Sequence, residues 1–144
     1  MAIPDIGQAA ARRLYASAVA GGGDAFELAE DVATRLAVAC DVLVDDLNRA
    51  RAGGQLITTL PGTSGFPDLP TGRALARGFG AKAGEYLDTL TALQETALLY
   101  KAAYLAAGKK FTEADAANRA AVALVAAQLA GPPPDVSDEG GAHG

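Results

Sequence analysis

The sequence predicts an all-α protein: a long antiparallel helical hairpin or four-helix bundle, with a short N-terminal helix and a disordered C-terminal tail. Three observations carry this. First, Leu75, Phe79, Ala83, Tyr86, Leu90, Leu93, Ala97, Tyr100 and Tyr104 recur in steps of three and four residues. That is the seam of a helix packed lengthwise on other helices, close to a coiled-coil repeat. Second, 50% of residues are hydrophobic but only 6% aromatic, so much of the apolar content is alanine. Alanine is a strong helix former that fills little volume, and suits closely approaching helices. Third, clusters of glycine and proline divide the chain into segments of helical length,.

Asp5 is positioned to start a first helix over about 6–20, with apolar positions Ile6, Ala10, Leu14 and Val19,. Gly21-Gly22-Gly23 interrupts it. Asp24 and Glu27 then resemble a capping box at the start of a second helix, about 24–52,. Val32, Leu36, Ala39, Leu43 and Leu47 form its main stripe, widened by Phe26, Val42 and Val44, and Gly53-Gly54 is the expected stop,. The stretch 55–70 has several prolines and glycines and no helical period, yet carries Leu56, Ile57, Leu60, Phe66 and Leu69. So many apolar side chains place it against the bundle.

Pro70 and Thr71 open the third helix, about 71–107. Gly72, Gly78, Gly80 and Gly84 near its start read as small residues that permit close helix approach. They do not form a phosphate loop, since no strand precedes them and the spacing differs. At Gly108-Lys109-Lys110 two readings stay open. Either the helix ends there and a new one begins near Thr112, or it runs on, because Phe111 lies seven residues beyond Tyr104 on the same seam. The final helix, about 112–130, is alanine-rich, and Gly131-Pro132-Pro133-Pro134 stops it. Residues 1–130 form one helical domain, and 131–144 a polar tail expected to be disordered.

A net charge of −5 and a pI near 4.7 argue against general binding to nucleic-acid backbones,. No basic-then-apolar export leader opens the chain, and the longest apolar run, Ala120 to Ala127, is too short for a transmembrane segment,. The single cysteine, Cys40, forms no intrachain disulfide and reads as a buried, inert thiol,. The lone histidine, His143, lies in the tail. No His/Cys/carboxylate cluster has metal-ligand spacing. No serine or cysteine has a base placed to activate it, and Glu30/Asp31 and Asp45/Asp46 are adjacent pairs that point to different parts of a helix surface. The expectation is a non-enzyme with no catalytic residue, cofactor or metal.

Two stretches carry a resemblance. Pro67-Asp68-Leu69-Pro70-Thr71-Gly72-Arg73-Ala74-Leu75-Ala76 leads into the long helix. Tyr104-Leu105-Ala106-Ala107-Gly108 precedes Phe111-Thr112-Glu113-Ala114-Asp115-Ala116-Ala117-Asn118-Arg119-Ala120. On these, the part from about Gly65 to Leu124 resembles bacterial type VII (ESX) secretion substrates of the WXG type and their relatives. The resemblance implies a two-helix hairpin that pairs with another into a four-helix bundle. It also implies a Tyr-x-x-x-Asp/Glu export element near the end of the C-terminal helix, matched here by Phe111 and Asp115 with phenylalanine in place of tyrosine. Tryptophan is absent, so the resemblance is to an outlying member without the Trp-x-Gly turn.

The leading expectation is a non-enzymatic protein associated with type VII secretion, a secreted substrate or its pairing partner. It would be cytoplasmic before export and leave the cell without a classical signal peptide. Its pairing face would be Leu75, Phe79, Tyr86, Leu90, Leu93, Tyr100 and Tyr104, in a homo- or heterodimer, with the secretion machinery as a further partner. Phe111 and Asp115, one turn apart on one helix face, would form the recognition patch. The plainer reading of that pair is a core residue and a capping residue. The alternative function is a cytosolic helical-bundle module that binds a protein, such as an immunity or regulatory protein. A third class is a small-ligand binder using Tyr86, Tyr100 and Tyr104.

Overall fold

The computed structural model describes residues 3–58 and 70–130, and the fold is all-α. It contains α1 (Gln8–Ala20), α2 (Glu30–Thr58), α3 (Pro70–Ala107) and α4 (Phe111–Ala130). Residues 59–69, with Leu60, Phe66 and Leu69, and the tail 131–144, with His143, lie outside the described residues.

The core is built around α3. Helices α1, α2 and α4 each pack on it rather than on one another. The register is legible in the contacts. On α2, Asp41 pairs with Lys101, Asn48 with Gln94, and Gly54 abuts Leu87, so α2 runs antiparallel to α3. Gln8 meets Glu95 while Ala11 clusters with Leu99, and Ala18 with Ala106, so α1 runs parallel to it. Helix α4 returns antiparallel, with Ala114 packed near Leu105 and Ala121 near Leu99. Near its C-terminus α3 is therefore surrounded: Ala102, Ala103, Leu105, Ala106 and Ala107 are all buried. A helix apolar on all sides belongs at the centre of a bundle. Alanine at these positions lets three neighbours approach it, and Ala114, Ala117 and Ala121 do the same for α4.

The 38 residues of α3 span about 57 Å, against about 30 Å for the 20 of α4,. Since α1 and α4 lie beside its C-terminal half, and the register sets the end of α2 at Thr58 level with about Gly84, the described helices taper from four, through the α2/α3 pair, to the start of α3 alone.

The α3–α4 fork resolves as a break. Lys110 N–H donates to Leu105 C=O at 2.8 Å and Lys109 N–H to Ala106 C=O at 2.9 Å. This is the paired hydrogen-bond pattern of a Schellman cap, with Lys109 in the left-handed region at φ 64°,. Gly108 serves a different purpose: a Cβ there would lie 2.4 Å from Ala33 Cβ, so the glycine lets the start of α2 cross the end of α3.

Several expected boundaries move. Helix α2 starts at Glu30, not Asp24, and the Asp24/Glu27 box lies outside it. Phe26 and Leu28 instead pack against the core, and Leu28 N–H donates to Ala107 C=O at 3.0 Å. At its other end α2 passes through Gly53-Gly54 to Thr58. Tertiary contact overrides the propensity, since a Cβ at Gly54 would lie 2.9 Å from Leu87 Cδ2,. The expectation for the α3 glycines is not met at Gly78, Gly80 and Gly84, where an added Cβ would meet nothing within 4 Å. Helix α1 begins at Gln8, two residues later than expected, with Gly7 as its N-cap.

Candidate functional site: an open apolar face on α2 and α3

At about 100° per residue, Leu75, Phe79, Tyr86, Leu93, Tyr100 and Tyr104 fall within an arc of roughly 60° on α3. The contacts of α1, α2 and α4 occupy the rest of its circumference, so this arc is the flank of α3 that the other helices leave open. The packing of Gly54 on Tyr86 and Leu87 brings one flank of α2 beside it. That flank carries Leu36, Leu43 and Ala50 at seven-residue spacing.

Beside α2 the two flanks form one apolar face, and beyond the end of α2 the row continues on α3 alone with Leu75 and Phe79. Leu43 is 48% exposed, Leu75 49%, Tyr86 49% and Leu93 38%, and Phe79 is exposed as well. Near the start of α3 the face deepens into an open groove lined by Thr71, Ala74, Leu75, Gly78, Phe79 and Lys82. None of the three tyrosines considered for small-ligand binding borders that groove.

The predicted pairing residues divide into three groups. Leu75, Phe79, Tyr86 and Leu93 lie on the open face. Leu90 does not: it is 5% exposed and belongs to the chain's own core. Tyr100 and Tyr104 are half-buried, with ring centroids 5.9 Å apart, and Phe26 packs edge-on against Tyr104 at 6.3 Å. Burial raises the Tyr104 phenol above its ordinary pKa, with smaller contributions from Cys40 and Tyr100.

Phe111 opens α4 and is 49% exposed, so it is not a core residue. Asp115, in the next turn, is exposed and held in an ion pair with Arg119 rather than capping the helix. The two form a solvent-facing aromatic–carboxylate patch beside the α3–α4 turn. Cys40 is half-buried, and burial pushes its thiol pKa up, with Asp41 adding to the rise. Such a thiol is a poor nucleophile at neutral pH.

Sequence reasoning missed the polar layer beneath the face. Arg51 donates to Gln94 Oε1 at 2.8 Å and to Gln128 Oε1 at 3.2 Å, while Gln94 Nε2 donates to Asn48 Oδ1 at 2.6 Å. On the α1 side, Gln8 Nε2 donates to Glu95 Oε1 at 3.0 Å and Arg12 to Glu95 Oε2 at 3.2 Å. Gln94, Glu95 and Gln8 are buried. The signal available in the sequence was the polar pair Gln94-Glu95 inside an otherwise apolar helix. The layer ties all four helices at one level, though the buried Nε of Arg51 has no hydrogen-bond partner.

Among the described residues no group of His, Cys, Asp and Glu could hold a metal ion, and no helix is long and apolar enough to cross a membrane. Comparison with protein-family models, curated proteins and solved structures gives no match.

Proposed function

We infer that the protein acts by helix–helix association, using the open α2/α3 face to pair with a second apolar two-helix face, in the setting of type VII secretion. The observation that carries the reading is the exposed row Leu43, Leu75, Tyr86 and Leu93. Contiguous apolar faces of this kind mark interaction surfaces. Helix α2 is about 43 Å long and two packed helices are roughly 20 Å across, so the face offers on the order of 800 Å². That matches the area each partner contributes to a stable interface, about 800 Å². Asp41 pairs with Lys101 and Asp88 is partly buried, so the charge within the α3 arc is that of Lys82, which pairs with Glu85. A partner face of the same character, apolar and weakly charged, fits it.

The link to export rests on the resemblance to type VII substrates and on the exposed Phe111/Asp115 patch. Both experiments use the tagged chain in its organism of origin. Leu43→Glu with Leu93→Glu should abolish pairing, read by size-exclusion chromatography and cross-linking, with helical content unchanged. Phe111→Ala with Asp115→Ala should retain pairing but keep the protein out of the culture filtrate. Wild-type protein confined to the lysate would rule out export and turn the reading to a cytosolic bundle module. A wild-type chain that stays unpaired would rule out the face.

A further inference from the structure

We propose that the α1–α2 connector is a displaceable strap that covers the upper part of the apolar face, so that the seam is longer than its exposed portion. This rests on the pairing reading for its purpose, though not for its test. The connector leaves the end of α1, which lies on one side of the open flank of α3, and reaches the start of α2 on the other. Helix α4 packs on the opposite side of α3, so the connector crosses the open flank. Its ring does the covering: Phe26 sits against Tyr104, which stacks at a tilt on Tyr100.

The strap is built to move at one end. Gly21 has φ 70° and Gly22 φ 101°, in the region that glycine enters without strain,. A Cβ added at Gly21, Gly22 or Gly23 would meet nothing within 4 Å, so no packing fixes the hinge. Between hinge and helix the closed position is held by the packing of Phe26 at the edge of the core and by few hydrogen bonds. Ala25 N–H donates to Gly22 C=O at 3.2 Å and Phe26 N–H to Ser17 Oγ at 3.1 Å. Leu28 N–H, bound to Ala107 C=O, anchors the far end. A strap free at the glycines and anchored at Leu28 swings outward with Phe26 at its tip. Opening bares Tyr104, while Tyr100 stays packed against the Ala11 cluster of α1, and continues the row upward from Leu93. In the free chain Phe26 fills the seat; in a complex an apolar side chain of the partner helix takes it.

Amide hydrogen exchange on the full chain reads the strap directly, since Ala25 and Phe26 each have one acceptor when it is closed. Their amides are expected to be at least about 100-fold less protected than those of Ala102 to Ala106, as for a local opening. Ser17→Ala should speed exchange at Phe26 further while leaving α3 unchanged. Phe26→Ala should raise binding of 1-anilinonaphthalene-8-sulfonate several-fold with helical content retained. Exchange at Ala25 and Phe26 that occurs only with global unfolding would overturn the strap, as would unchanged dye binding in Phe26→Ala. These readouts need no partner. Failure of the pairing reading would show instead as loss of any effect of Leu43→Glu and Leu93→Glu on association.

Discussion

Two neighbouring residues at the α3–α4 turn divide a task that one glycine usually performs. Lys109 carries the left-handed backbone and Gly108 the close contact. Substitutions at the two should act in opposite directions. Gly108→Ala forces a methyl group into Ala33 and should cost about 1–3 kcal/mol, as overpacking does. Lys109→Gly relieves the left-handed conformation and should stabilise by roughly 0.5–1 kcal/mol. Urea denaturation of both variants checks the pair, and a neutral Gly108→Ala would refute the contact. The sequence left open whether the helix breaks at Gly108 and could not assign the roles, since the reason for the glycine is a residue 75 positions away, Ala33. Tyr104 supplies a pH test at the same scale. Its folded pKa lies above the ordinary 10.0, so the folded state holds the proton more tightly than the unfolded chain. That contribution is complete below the unfolded pKa and is lost as pH rises through the folded one. The thermal midpoint should therefore fall with pH in that alkaline window, and Tyr104→Phe should flatten the fall.

At the scale of elements, periodicity was legible and boundaries were not. The α3 seam and the alanine-rich α4 follow from spacing alone. The start of α2 does not, because Asp24 and Glu27 offer a local cap that loses to burial of Phe26 and Leu28. Its end does not either, because Gly54 is tolerated for its fit against Leu87. Half of the candidate face was equally hidden. Leu75, Tyr86 and Leu93 belong to a visible repeat, whereas Leu90 on that repeat turns inward and Leu43, assigned to the core stripe of α2, turns outward. Which side of a stripe is buried depends on the neighbours, and α1 and α4 are not identifiable as neighbours from their own patterns. The polar layer answers a need that alanine creates. Contacts between methyl groups distinguish poorly between adjacent registers, whereas Arg51 bonded to Gln94 and Gln128 accepts one. Arg51→Ala leaves two amide oxygens without that donor and should cost about 1–3 kcal/mol. Chemical denaturation measures it, and amide exchange along α4 should accelerate selectively, because Gln128 is its tie to α2.

For the whole molecule the taper matters most. The four-helix end holds most of the buried alanines, and the start of α3, beyond the end of α2, holds Leu75 and Phe79 in the open. Limited proteolysis should cut the start of α3 first, and occupation of the face should protect it. The arrangement also fixes what each half can do alone. Helices α1 and α2 meet through α3, with no packed interface of their own. A fragment spanning 1–58 should therefore be largely unfolded by circular dichroism, since isolated helices of such length are marginal in water, whereas 1–130 should fold cooperatively.

The placement of α3 at the centre has a consequence in time. A ribosome delivers the chain from residue 1, and the helix that every other element requires comes third. The first two helices must wait, apolar sides bare, until Ala107 has emerged. The core closes only once α3 and α4 have both been made. Until then α1 and α2 are open to any chaperone that binds apolar helices.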